Sequence, residues 1–338
     1  MLPILTSDQK QWAGSRRWPV YDLFGLKMAS DFGFATSLIE GPGRPDLAFT
    51  CVPAMPSGSD WDEGSPAYAS AYRSVDGESV AYLYRLEDCD VFRFTRVADF
   101  YLGPDRLLCH LLDRAYDYLV EIRLMGPVLS FWLERQGIPA LHASSAVVGD
   151  RAVVFLSSNG SGKSSLAASL MQAGHPLLTD DILPVEERHG AFVGRPGYPQ
   201  MRLWPDEAIY FLGHYDDLGL VHPGYSKRRV PVGRDGFGTF WHSPCPLACI
   251  YVPERRESVE RGMEIEITPI SPRDAVMELV RHSFSAHVVE AVGLQPRRLK
   301  FFARMAEQLP MRRIAYPSGL QHLSQARDAI REDLTRLP

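Results

Sequence analysis

The chain has no paired-cysteine framework. Its five cysteines, Cys51, Cys89, Cys109, Cys245 and Cys249, are odd in number and widely spaced, with no CxxC pair. That spacing predicts neither a disulfide scaffold nor a zinc site, and free buried thiols are the simpler reading. An excess of positive charge is also missing, since 36 Lys and Arg against 41 Asp and Glu leave −5 at pH 7. Proteins that grip a nucleic-acid backbone carry a basic footprint, so nucleic acid is not an expected partner. No run is apolar enough for a membrane span, because the most apolar stretch, Tyr118 to Trp132, carries Glu121 and Arg123. The first residues lack a basic region leading into a long apolar one, so no export signal is expected and a cytoplasmic protein is. Repeats and low-complexity tracts are absent as well.

What is present is an ordinary globular composition, 45% hydrophobic and 23% charged over 338 residues, a length that predicts more than one domain. Residues 1–115 alternate short aromatic runs with turn-rich segments such as Gly41-Pro42-Gly43 and Ser57-Gly58-Ser59. This pattern predicts a strand-rich N-terminal domain, with strands near residues 80–85, 91–94 and 106–111. Residues 116–338 are expected to form a second domain of α/β type. It opens with a helix to Arg135 that Gly126-Pro127 should kink. Two β-type runs follow, 143–148 and 151–156, joined by Gly149-Asp150 as a hairpin. A helix from Ser165 to Ala173 should end at Gly174.

Between the second run and that helix lies Ser157-Ser158-Asn159-Gly160-Ser161-Gly162-Lys163-Ser164. A strand, a glycine-rich loop and a helix in this order make a phosphate-binding P-loop, in which backbone N–H groups converge on phosphate oxygens at the positive helix end. ATP and Mg²⁺ are therefore expected. The backbone and side chains of Ser158 to Ser165 are expected to hold the nucleotide, with Lys163 reaching the β and γ phosphates and Ser164 ligating the metal. The usual pattern begins with glycine, and Ser157 stands in its place.

Three further elements are candidates for the chemistry. Asp180 and Asp181 follow a short apolar strand, and two carboxylates at a strand end can divide the work of proton acceptor and metal ligand. His142 begins the hairpin, and antiparallel pairing brings it back to the loop; it reads either as a site residue or as a structural histidine. The run Ser226 to Pro231 gathers Lys227, Arg228 and Arg229 in an expected loop. Lys227 or Arg228 would neutralise a transferring phosphate if that loop folds over the site, and otherwise the run is solvated surface. Arg202 is a weaker candidate for the same task.

The segments around His142, SSNGSGKSS and GHPLLTDD together resemble the catalytic domain of the HPr serine kinase/phosphorylase family, whose P-loop fold is similar to that of phosphoenolpyruvate carboxykinases. The resemblance covers about Leu141 to Asp181. It implies His142 as a catalytic-site residue, Lys163 and Ser164 as triphosphate and metal binders, Asp180 as general base and Asp181 as its acidic neighbour near the metal. The family's later L-E-x-R-G-x-G signature is missing. In its place Gly197-Tyr198-Pro199-Gln200-Met201-Arg202-Leu203-Trp204-Pro205-Asp206 resembles related lasso-peptide kinases that phosphorylate a serine hydroxyl. A kinase acting on a serine of a peptide or protein is thus the expected function. A small-molecule alcohol kinase and a non-catalytic ATP-binding regulator are the alternatives, and a homo-oligomer stays open.

Overall fold

The computed structural model describes residues 18–53, 64–257 and 264–337; the start of the chain and the Ser57-Gly58-Ser59 turn lie outside them. The chain divides into two compact units of mixed α/β structure, residues 1–135 with 287–294 and residues 136–286 with 295–338.

The first unit is built on a nine-stranded sheet. Its centre pairs Leu26–Ser30, Leu47–Val52 and Arg106–Leu111 in parallel, and from there an antiparallel meander runs through Ala98–Leu102, Asp90–Phe94 and Ala81–Arg85. The described edge strands, Ile39–Glu40 and Tyr68–Ala69, are only two residues long, which blunts pairing with another chain. The helical segment before Arg135 belongs here: the Trp132 indole N–H donates to the Gly103 carbonyl (3.0 Å) and Arg135 to that of Leu102 (2.9 Å). The division therefore falls after Arg135 rather than at the expected 115/116. A π-type turn, Leu124–Val128, interrupts this segment where Pro127 lacks an N–H, and Gly126 leaves helical geometry (φ −100°, ψ −109°).

In the second unit the hairpin forms as its sequence predicts. Ala143–Val148 pairs antiparallel with Arg151–Leu156, Ala143 facing Leu156, about a turn at Gly149 (φ +67°). Arg151–Leu156 pairs in parallel with Cys245–Arg256, which pairs in parallel with Met311–Pro317. Both faces of this sheet are covered, so its strands are apolar at nearly every position rather than alternating. Ala152, Val154 and Leu156 point into a core shared with Leu279 and Phe302, whereas Val153 and Phe155 point into one shared with Leu166, Leu170 and Ile330. Each fully buried Val, Leu or Phe side chain here contributes about 1.5 to 3 kcal/mol, which anchors the strand that carries the loop.

A small three-stranded sheet, ordered Gln200–Leu203, Tyr225–Pro231 and Leu220–His222, completes the unit. The basic run expected in a loop is thus a strand. Its alternation explains why: Val230 joins Met201 and Leu203 in the core, while neighbouring side chains face outward. No helix among the described residues is long and apolar enough to cross a membrane.

Candidate active site

The loop Ser157 to Gly162 joins Arg151–Leu156 to the helix Lys163–Gln172. Gly160 (φ +78°) and Gly162 (φ +96°) take left-handed conformations that a side chain resists. At Gly162 space also excludes one, since a Cβ would lie 2.5 Å from the Tyr316 hydroxyl and 2.7 Å from the Arg255 guanidinium. Ser157 is not among the positive-φ residues, so serine replaces the usual first glycine without backbone strain. No side chain caps the helix at Gly162, and its first-turn N–H groups remain available to an anion.

Lys163 opens that helix with only 6% of its surface exposed. Its ammonium donates to the carbonyls of Ser157 (2.7 Å) and Ser158 (2.8 Å). Burial pushes its pKa down to about 8, against the opposing pull of Asp180 and Asp181.

Asp180 and Asp181 follow the strand Leu177–Thr179 and take different partners, and Asp181 adopts φ +79°, an uncommon conformation for a residue with a side chain. Asp180 Oδ1 accepts from the Ser164 hydroxyl (2.9 Å) and from that of Ser144, while Oδ2 accepts the Arg202 backbone N–H (2.8 Å). Asp181 instead pairs with the Arg202 guanidinium (2.6 Å), which also donates to the Tyr198 hydroxyl (3.1 Å). His142 Nδ1 lies 3.3 Å from the Asp181 carboxylate, and its Nε2 lies 2.7 Å from the Asn159 side-chain oxygen in the loop. Burial would raise the Asp181 carboxyl, but Arg202, then His142, Lys227 and Lys163, outweigh it and hold the group below the usual carboxylate range.

These groups meet in one cleft of about 230 Å³ whose lining includes His142, Asn159, Lys163, Asp180, Asp181 and Lys227. Gly160, Gly162, Ser164 and Ser165 border it too, the Ser165 hydroxyl donating to the buried Glu207 carboxylate. Ser158 and Ser161 form the outer side of the loop, the Ser161 hydroxyl donating to the Ser158 carbonyl (2.7 Å). The expectation that Lys227 and Arg228 share the site fails at Arg228, because adjacent strand residues face opposite sides. Lys227 lies over the Trp204 ring (5.7 Å), at the cleft, whereas Arg228 lies over Tyr215 (5.1 Å) and donates to the Leu218 carbonyl (3.1 Å). Ser144, Arg255 and Tyr316 also line the cleft and were not singled out from the sequence. A buried serine in an apolar strand was the available signal for Ser144; Arg255 and Tyr316 arrive from strands far along the chain.

Among the described residues no cluster of three or more His, Cys, Asp or Glu side chains is arranged to hold a metal. Mg²⁺ needs no such cage, since it binds one or two protein oxygens together with substrate phosphates and water. Adjacent ligands on its octahedron are about 2.9 Å apart, given bonds of about 2.0 to 2.1 Å. Ser164 Oγ and Asp180 Oδ1 stand at that separation, 2.9 Å. The fitting pair is therefore Ser164 with Asp180, in place of the expected Ser164 with Asp181, whose carboxylate is committed to Arg202.

No protein-family model and no curated protein matches the chain. Among solved structures the chain is similar to the Hpr(Ser) kinase/phosphatase from Coxiella burnetii, at 12% identity and a TM-score of 0.30, over 58% of this chain and 97% of that one.

Proposed function

We propose that this protein is an ATP- and Mg²⁺-dependent kinase that transfers the γ-phosphoryl group to the hydroxyl of a serine in a peptide or protein. The observation that carries this reading is the convergence of Lys163, Ser164 and Asp180 at the end of one strand-loop-helix unit, with the Ser164 hydroxyl 2.9 Å from Asp180.

Each residue has a task that its surroundings support. Lys163, now donating to the Ser157 and Ser158 carbonyls, would bind phosphate oxygens, and the uncapped helix end would add backbone donors. Ser164 and Asp180 are the residues that would hold Mg²⁺, which when bound neutralises charge between the β and γ phosphates. Lys227 supplies a further cation at the cleft. Transfer would form a P–O bond to the acceptor, break the one to ADP and release the hydroxyl proton, for which the Asp180 carboxylate is the acceptor. Asp181 is a poor base, because Arg202 stabilises its anion; it positions Arg202 and, through its carbonyl and carboxylate, His142. The segment that resembles peptide kinases borders the same cleft through Trp204 and Asp206, which supports a peptide acceptor.

The test is incubation of the full chain with Mg²⁺ and γ-labelled ATP in the presence of serine-containing peptides, with mass-spectrometric mapping. Phosphoserine is expected. Label appearing only on a sugar or other small alcohol would replace the peptide acceptor, and ATP binding without any transfer would identify a regulator.

A further inference from the structure

One face of the three-stranded sheet turns away from the core that Met201, Leu203 and Val230 enter, and its charged side chains are basic. Directly paired residues in an antiparallel ladder share a face, and the register pairs Arg202 with Arg229 and His222 with Tyr225. Alternation along Tyr225–Pro231 adds Lys227 to the same face. The opposite face carries Met201, Leu203 and Val230 into the core. Arg202, Arg229, Lys227 and Tyr225 thus form a row, beginning at the Asp181 ion pair inside the cleft and ending at a Tyr225–His222 stack (4.9 Å, 9°). Neither Gln200–Leu203 nor Tyr225–Pro231 contains an acidic residue, although the whole chain is net negative at −5; Asp181 compensates Arg202, and Arg229 donates through Nε to the Leu220 carbonyl (3.1 Å). Tyr225 is half-exposed at 47%, and Trp204 stands at 39% beneath the Lys227 ammonium.

We infer that this basic, aromatic-ended face docks the acceptor as an acidic peptide, one whose Asp or Glu side chains lie close to the serine that is phosphorylated. The inference rests on the kinase reading and names its substrate class. Charge complementarity gives the occupant its sign, and continuity with the cleft through Lys227 gives it its place. From Tyr225 to Arg229 the strand spans about 13 Å, the length of about four extended residues, so carboxylates within about four positions of the serine are the ones read. The stacked tyrosine and histidine offer a flat surface for an apolar or aromatic side chain at the far end.

The experiment compares two serine peptides of equal length, one with flanking glutamates and one with flanking glutamines, on the full-length wild type and on Arg229→Ala and Tyr225→Ala. Wild type should phosphorylate the acidic peptide with a kcat/KM at least about tenfold higher, an advantage that shrinks as salt is raised. Arg229→Ala should raise KM for the acidic peptide by about tenfold while leaving kcat, the neutral peptide and the KM for ATP unchanged. Equal kcat/KM for both peptides on wild type overturns the inference and leaves the kinase intact. So does an Arg229→Ala effect confined to the KM for ATP, which would give the face to the nucleotide. Absence of ATP binding by wild type overturns the kinase reading itself.

Discussion

Buried charge occurs in both units, and the contrast between them separates structure from chemistry. In the first unit Glu121 is 5% exposed and accepts from the backbone N–H groups of Ala35 (2.6 Å) and Thr36 (3.1 Å) and from the Thr36 hydroxyl. Asp99 is held there by two nitrogens of Arg93, at 2.7 and 2.8 Å. These carboxylates tie loops and strands together. In the second unit Lys163 and Asp180 are equally buried, at 6% and 5%, yet both border a cleft, and the Lys163 ammonium donates to carbonyls of its own loop. Burial alone does not mark a site. Charges that converge on a cleft, with partners that a ligand can replace, do.

The contrast sharpens first at Asp180. Asp180→Asn keeps the shape of the side chain and removes the carboxylate proposed as proton acceptor and metal ligand, so kcat should fall by about a thousandfold with the fold retained. Single-turnover kinetics measure it. Glu121→Ala is the counterpart in the first unit: it removes the acceptor of the Ala35 N–H and of the buried Thr36 N–H and should cost about 2 kcal/mol in urea unfolding. The affinity for ATP should not change, and a loss there would break the division between structural and chemical charge.

A finer comparison lies between neighbours on one strand. Lys227→Ala should lower the rate of transfer by about tenfold with little change in nucleotide affinity, while Arg228→Ala should leave the rate alone and act only through its Tyr215 and Leu218 contacts. Equal effects from the two would contradict the assignment of opposite faces. The smallest effect is one of pH. Because the Lys163 pKa is lowered to about 8, its ammonium is complete well below that value and is lost as pH rises through it. Metal-free ATP affinity should therefore fall by about fourfold from pH 7 to 8.5, as measured by calorimetry. The dependence should vanish in Lys163→Arg.

The loop, the hairpin and the helix after Lys163 were legible because each carries a local signature: Gly149-Asp150 at the turn, Gly160 and Gly162 where φ is positive, and Gly174 (φ +92°) after the helix. His142 returned to the loop as antiparallel pairing requires, and Asn159 receives it. The rest depended on nonlocal facts. Ser226 to Pro231 reads as a loop because three successive cations look solvated, yet pairing with Gln200–Leu203 makes it a strand and sends Lys227 and Arg228 apart. The neighbour of Ser164 could not be chosen between Asp180 and Asp181 from spacing, since adjacent carboxylates at a strand end take their partners from distant segments: Asp180 meets Ser164, and Asp181 meets Arg202. Arg255 and Tyr316 reach Gly162 only through the parallel pairing of Cys245–Arg256 with Met311–Pro317.

Calorimetric titration of Mg²⁺·ATP into the wild type and into Lys163→Ala at pH 7 tests the central claim, that this cleft is built for a triphosphate. Wild type should bind at one site, and the variant, folded by circular dichroism, should lose affinity by about a hundredfold if Lys163 is the cation that meets the β and γ phosphates. Equal affinity in the two proteins, or no binding by the wild type, would contradict it.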